Sequence, residues 1–449
     1  MHQLKIACLV YGVMLQSVSM EAQPVIKAAG GWGHSLFLKS DASLWSVGFN
    51  ISGQLGDGTY FTNAPFGTNH PEQIATSGVT AIAAGAYHSL LLKGDGSVWV
   101  MGSNSFGQLG SGTMGNINQP QPIAASNVTA IAAGQFHSLF LRNDGSLWAM
   151  GFNGYGQLGN GTLSNTNRPV QALATNVVAI AAGANHSLFL KNDGSLWGMG
   201  DGERGQVGSG TLGLTAFPLE IMASNVTALA AGGEFSLFLK SDGSLWALGD
   251  NQYGQFGNGT NSLGVNDIPL QALTSNVTAI AAGEFHSLIL KNDGSLWAMG
   301  FNGYGQLGNG TTNNVDFPEL IVATGVTAIA AGYNHSLFLK SDGSLWCMGK
   351  NDFGQLGDGT YNNTNRPELI VAGPAGYNQI LIQLLNGGKA GLYYTGMAGT
   401  NYELDRSFSL SPTNWVPQAT NLAGVSGVLV FTNTPDLTTN NFWRIRSAP

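Results

Sequence analysis

The chain has 449 residues, of which 9% are charged and 43% hydrophobic, with 65 glycines, ten tryptophans and a net charge of −8. So apolar and glycine-rich a composition excludes a disordered chain, and the length exceeds one ordinary core, which leaves several domains or a repeat array. The acidic balance, with no run of lysine or arginine, excludes a nucleic-acid partner, because displacing counterions from a polyanion requires a basic surface.

Residues 1–22 read as an export signal: Lys5 supplies a short positive region, Ile6 to Leu15 an apolar stretch, and Ser17-Val18-Ser19 or Ala22 a small-residue cleavage site. The expected location is therefore extracellular or periplasmic. No apolar stretch reaches the roughly 20 residues of a spanning helix, so no membrane insertion is expected. Cys8 leaves with the signal, so Cys347 remains without an intramolecular partner and stability must come from packing.

From 25 to 372 one pattern recurs. Equivalent tryptophans stand at Trp45, Trp99, Trp148, Trp197, Trp246, Trp297 and Trp346, about one per 49 residues, which defines seven units. Each unit carries a Pro-led segment such as PELIVA, then VTAIAAG, HSLFLK, a turn, SLWAMG, and a glycine-rich stretch such as GQLGNGT. These segments are short, rich in branched and aromatic residues and bounded by Gly, Asn and Asp, so they predict strands. KNDG and KSDG predict hairpins whose glycine takes the left-handed position. Asp41-Ala42 breaks that rule and predicts a slightly strained first turn.

Four short antiparallel strands repeated seven times predict an all-β, seven-bladed β-propeller, an architecture that leaves only short, protected sheet edges. The two longest spacings trace to Thr59–Pro71 and Thr260–Pro269, which places that segment in a surface loop on one face. Because the first unit opens at Val25 with its VTAIAAG-type strand and the seventh ends with Pro367–Val371, we expect a shared closing blade. In it, the C-terminal strand Glu368–Val371 joins the first blade in one sheet with Val25–Ala29. Residues 374–449 change composition, and LYYTGM, NYELDRSFSL, NWVPQAT, GVLVFTN and NFWRIRS predict a small β-sandwich-like C-terminal module.

Recurrent polar residues read as architecture. His34, His88, His137, His186, His286 and His335 stand eleven before each tryptophan, with Phe235 in the fifth unit, whereas catalysis needs one asymmetric constellation. We expect these imidazoles to bond backbone carbonyls of the glycine-rich segment, with no metal between them. The base six before each tryptophan and the aspartate four before it read as solvated hairpin residues, with no DxDxDG series for calcium. GQLG lacks the lysine and helix of a phosphate loop, so its glycines serve close backbone approach and no cofactor is expected. Cys347 falls where other units carry small residues, and is expected buried and inert.

What varies between units carries the specificity. The pairs before the histidine position share no pattern, and the candidate partner-binding ring taken from them is Trp32, Tyr87, Phe136, Glu234, Glu284, Phe285 and Tyr333. A second ring, Phe106, Tyr155, Tyr253, Tyr304 and Phe353, is regular enough to read as packing between blades. The fourth unit departs with Glu203-Arg204.

The motif DGSLWAMGFNGYGQLGNGT (Asp144–Thr162), preceded by IAAGQFHSLFL (Ile131–Leu141), resembles the repeat of the regulator of chromosome condensation family, and the resemblance runs from Val25 to about Val371. It implies a seven-bladed propeller and a choice of functions, since the family includes a nuclear exchange factor for a small GTPase, a plant ultraviolet receptor and exported bacterial inhibitors of β-lactamase. The expectation for this chain is a secreted, monomeric, non-enzymatic scaffold that binds another protein through one face. The alternatives are a carbohydrate-binding or cell-wall-associated propeller, an exchange-like regulator, and a glycan hydrolase using Glu234 and Glu284. Ultraviolet sensing is disfavoured because only Trp32 stands where the plant receptor clusters tryptophans.

Overall fold

The computed structural model describes residues 23–373 apart from 173, 209, 211, 262 and 263, together with the backbone of six strands between 380 and 447. The expected signal at 1–22 lies outside the described residues. Every strand of the ring follows the sequence pattern: seven antiparallel four-stranded sheets form in simple meander order. They are blade 1 (Val25–Ala75), blade 2 (Val79–Pro122), blade 3 (Val128–Gln171), blade 4 (Val177–Met222), blade 5 (Val226–Leu273), blade 6 (Val277–Val322) and blade 7 (Val326–Val371). The VTAIAA strand is innermost, around the axis, and the Pro-led strand outermost.

The second strand explains how blades join. In HSLFLK the two faces alternate, and both are buried because a blade is sandwiched between neighbours. His34, Leu36 and Leu38 of blade 1 face blade 2, where Leu36 and Leu38 pack with Leu91 and Met101. Ser35 and Phe37 face the other way, toward Leu337, Leu339 and Cys347 of blade 7. A fully buried leucine of this kind contributes about 1.5–3 kcal/mol, so the hydrophobic core is distributed over the junctions between blades.

Parity also fixes the polar contact at each junction. The six histidines place Nε2 2.8–3.0 Å from the serine Oγ of the following blade. Each such serine donates its own proton, at 2.7–2.8 Å, to the backbone carbonyl of the GQLG-type glutamine in the preceding blade. The hydroxyl has only one hydrogen, so Nε2 must carry the imidazole proton and donate it to the serine. Nδ1 then bears a lone pair that no group reaches. The expected imidazole–carbonyl bond is thus corrected: a serine one residue after the histidine position, in the next blade, stands between ring and carbonyl. Where Phe235 replaces the histidine, Ser287 keeps only its bond to the Gln255 carbonyl, at 2.7 Å.

The expected shared closing blade is also corrected. Thr364–Val371 pairs with Leu345–Gly349 inside blade 7, and Val25–Gly30 is the innermost strand of a complete blade 1. The chain simply begins each cycle at VTAIAA, so no strand is left over. Blade 7 meets blade 1 as any two neighbours meet: His335 donates to Ser35, Ser35 to the Gln355 carbonyl, and Tyr333 N–H to the Gly31 carbonyl at 3.0 Å. Past the ring, Ile380–Leu385, Lys389–Thr395 and Val428–Asn433 form one antiparallel sheet, and Asn401–Ser407, Val416–Leu422 and Phe442–Ser447 another.

The glycine-rich stretch behaves as expected where blades approach. Gly156 has φ of 88°, and a Cβ there would lie 2.6 Å from the Ala216 Cα of blade 4. In six blades an asparagine organises this loop; Asn153, for example, accepts from Leu158 N–H and donates to the Thr162 carbonyl, both at 2.9 Å.

Ser336→Ala strands both the His286 Nε2 proton and the Gln306 carbonyl, and should cost about 2–4 kcal/mol; Ser287→Ala, beside Phe235, strands one carbonyl and should cost about 1–2 kcal/mol. Urea unfolding of the two variants measures the difference, and equal losses would discount the histidine contact. Ala42 holds φ at 62° in the first hairpin, where the other six turns carry glycine. Ala42→Gly should therefore raise stability by about 0.5–1 kcal/mol, read as an upward shift of the thermal midpoint.

Candidate functional site

The two faces of the ring differ in how much their side chains are already committed. On the hairpin face, each aspartate (Asp41 to Asp342) accepts the backbone N–H two residues on at 2.9 Å, and the tryptophan Nε1 donates to the intervening serine at 2.8–3.1 Å. The base of each hairpin is not a free rim charge, for its cation lies 3.5–4.2 Å above the tryptophan ring of the same hairpin. Hydrogen bonds from Ser97, Ser146, Ser195, Ser244 and Ser295 hold their aspartates below the usual carboxylate range. The aspartate, serine and tryptophan of every hairpin are thus engaged with one another.

The opposite face gathers the connection between first and second strands and the long connection between third and fourth. Around its centre the backbone is tied blade to blade, by Ala184 N–H to Gly232, Gly233 to Glu284, Glu284 to Tyr333 and Tyr333 to Gly31, at 3.0–3.2 Å. This annulus surrounds an axial cavity of about 90 Å³, walled by the alanine and glycine ends of the innermost strands, with Glu284 and Tyr333 at its mouth.

Outside the annulus the predicted ring and the second aromatic ring merge into one layer. Trp32 packs against Tyr87, Phe353 and Phe49 with centroids 5.2–5.5 Å apart, Tyr87 stacks on Phe136 at 5.8 Å, and Phe106 bridges Phe136 and Phe152 at 5.0–5.1 Å. Phe285 joins a second cluster with Tyr253 at 5.3 Å, continued through Phe301 to Tyr304. The rings are partly buried rather than fully exposed, and tilted, stacked and edge-to-face contacts with one another cover part of each. Packing therefore constrains these residues as well.

Blades 4 and 5 interrupt the aromatic layer with acids. Glu234 lies beside Asp250, Asp201 and Glu203, and Arg204 pairs with it at 3.5 Å. Burial is the main cause raising the carboxyls of Glu234, Glu284 and Asp201 above the usual range, and the Glu234 charge pushes Glu284 further in the same direction. Two members of the predicted ring, Glu284 of blade 6 and Tyr333 of blade 7, line the axial mouth, and the Glu284 charge, secondary to burial, raises the phenols of Tyr333 and Tyr87. Glu234 belongs to the acidic sector beside that mouth.

Sequence reasoning missed the apolar rim. At the residue before the proline of the outermost strand, blades 4 to 6 expose Phe217 (56%), Ile268 (66%) and Phe317 (61%), where the other blades carry His70, Gln119, Arg168 and Arg366. Comparing one column across all seven units would have found it. It also missed a carboxyl pair, Asp358 with Glu368, in a rim cavity of about 410 Å³ between blades 6 and 7.

Buried chemistry elsewhere is silent. Burial lowers the histidines to about 3 (His34, His137, His186, His286) or about 4 (His88, His335), which keeps them neutral, and pushes the Cys347 thiol up. Among the described residues no three His, Cys, Asp or Glu converge as a metal site, and no helix is long and apolar enough to cross a membrane.

The RCC1-like domain family model matches residues 12–211 and 123–394. The chain is similar to the X-linked retinitis pigmentosa GTPase regulator homolog of Caenorhabditis elegans, 37% identical over 103 residues, covering 21% of this chain and 7% of that protein. It is similar to the Protein RCC2 homolog of Danio rerio, 40% identical over 80 residues, covering 18% and 16%. The chain thus aligns with only a small part of each curated relative. Among solved structures, human WBSCR16 superposes with a TM-score of 0.66 at 26% identity, over 73% of this chain and 94% of the other. Yeast RCC1 (Prp20), solved with Kap60 bound, also gives 0.66, at 23% identity over 81% and 88%, a likeness of fold.

Because the folded histidines stay neutral while the unfolded chain protonates near the ordinary imidazole value of 6.5, stability is full above that pH and falls as pH drops toward 3–4. Each histidine should cost about 2 kcal/mol by pH 5. Urea midpoints measured from pH 7.5 down to 5 should show this slope, and His186→Phe, which copies the fifth blade, should lower it by about one proton.

Proposed function

We propose, for a chain that belongs to the RCC1-like domain family, that it is a non-enzymatic scaffold whose loop face, opposite the hairpins, binds another protein. One observation carries the reading. The residues that repeat are consumed inside blades and junctions, while the loop positions that vary converge on one face as an aromatic layer and an acidic sector, and the outermost strands of blades 4 to 6 add exposed apolar side chains at the edge. Rigid aromatics surrounded by polar groups, with exposed apolar side chains on three successive blades, match the anatomy of protein interfaces.

Neighbours in fold supply support of the same kind: yeast Prp20 has been crystallised with Kap60 and described for its binding to Gsp1p and histones. An exchange-like role would be a special case of such binding. Carbohydrate binding is weaker as a reading, because the rings pack against one another, Tyr87 face to face with Phe136, and each lends part of its surface to a neighbour rather than to a sugar. A hydrolase built on Glu234 and Glu284 would have to work at an axial cavity of about 90 Å³, against the ~300–1,000 Å³ of pockets that enclose small molecules. Export completes the proposal and is supported by the signal-like residues 1–22.

The test is affinity capture from the producer's extracellular fraction with the full chain and a Tyr87→Ala/Phe136→Ala variant. A protein retained by the first and lost from the second is the expected result. Capture that is indifferent to the two substitutions, or hydrolysis of a polysaccharide in a substrate panel, would overturn the reading.

A further inference from the structure

The mouth of the axial cavity holds an unused pair of groups. Tyr333 has a buried hydroxyl with no hydrogen-bond partner, an expensive state for a polar group that can both donate and accept. Beside it the half-buried Glu284 carboxylate receives a single side-chain hydrogen bond, from Asn334 Nδ2 at 3.2 Å, and Asn334 is itself buried. Glu284 forms no ion pair among the described residues. Arg204 is taken by Glu234, and Lys350, whose charge also acts on Glu284, is paired with Asp352 at 3.5 Å.

The surroundings suit a cation. Lys350 shows that the aromatic layer accepts one, with Nζ 4.7 Å from the Tyr304 centroid and 5.5 Å from that of Trp32. The Glu234 charge, from the acidic sector on one side, adds negative potential at Glu284. The cavity is lined by alanine and glycine, which leaves room for a narrow head group and none for a ring system.

We infer that the axial mouth formed by Glu284, Tyr333 and Asn334 receives an arginine side chain of the protein partner. This rests on the protein-binding reading above and names the chemistry at its centre. A guanidinium has a planar fork of five donors, so on entering it can bond the Glu284 carboxylate with one edge and, by uncovering the enclosed Tyr333 hydroxyl, satisfy that oxygen with another N–H. A lysine ammonium, a compact and strongly hydrated point charge, fits the same carboxylate less well in so closed a place.

The experiment uses the full chain carrying ¹³C-labelled tyrosine, with the Tyr333 resonance assigned through Tyr333→Phe. It is titrated with N-acetyl-arginine amide and with N-acetyl-citrulline amide, the neutral isostere. The Tyr333 signal should move saturably with arginine and not with citrulline. Glu284→Gln should weaken the arginine response by about tenfold or more, as expected when a charge-assisted contact is removed. Tyr333→Phe, followed through the Tyr87 signal, should weaken binding severalfold yet unfold no more easily than the parent, since it deletes a hydroxyl that bonds nothing. No saturable shift, equal shifts with citrulline, an indifferent Glu284→Gln, or a destabilised Tyr333→Phe would each overturn the inference. If the arginine site fails while partner capture still depends on Tyr87 and Phe136, only the inference falls; loss of that dependence removes the protein-binding reading beneath it.

Discussion

The ring depends on one repeated relay: imidazole Nε2–H to serine hydroxyl in the next blade, and serine hydroxyl back to a main-chain carbonyl in the blade the imidazole came from. It saturates the only hydrogen of the serine and thereby dictates the histidine tautomer. It also demands that HSLFLK be buried on both faces, because histidine and serine are neighbours in sequence and must point to opposite sides of the strand. From that demand follow the leucines on the histidine's side, the aromatic or aliphatic partner on the serine's side, and a core that lies between blades. A two-faced strand of this kind has no stable use in isolation, which is why the units are stable only as a closed set.

Closure then needs no special device. A shared closing strand would suit a ring whose last unit is incomplete, whereas here the first and last blades are whole and their junction is chemically the same as the rest. The asymmetry of the protein is accordingly displaced from its architecture to its loops. Positions inside the relay, the hairpin and the glycine-rich approach are held to one chemistry by their neighbours. The loop positions on the opposite face are held only by one another, and they drift together: aromatic beside aromatic in blades 1 to 3, acid beside acid in blades 4 and 5.

The repeat count, strand positions, hairpins and the close approach of glycines were all legible because each rests on local residue chemistry that recurs with fixed spacing. Phase was not. A circular repeat has no marked start in its sequence, so the Pro-led strand could be assigned to the front or the back of a unit, and only pairing settles that Thr364–Val371 ends blade 7. The partner of His186 was hidden for a related reason. Ser236 lies 50 residues away in the next unit, and its signal, a serine one after every histidine position, reads as ordinary strand composition until the two faces are placed against neighbours. The candidate face was legible as a set of variable positions. Its division into an aromatic layer, an acidic sector and a mouth at Glu284 and Tyr333 depends on which blades adjoin across the axis.

The one junction without the full relay adjoins the acidic sector. Carboxylates on that face do not reach the buried layer: His286, two residues after Glu284 and one blade from Glu234, is still held down to about 3, chiefly by burial. All six imidazoles stay neutral because burial is their dominant influence, and neutrality is what lets Nδ1 go without a partner. A protonated ring would carry a second N–H into a space that has no acceptor, a cost that exceeds the one hydrogen bond gained at Ser287. Phe235 gives up that bond, keeps the volume and stays neutral at any pH, so the fifth junction holds no imidazole for acid to protonate.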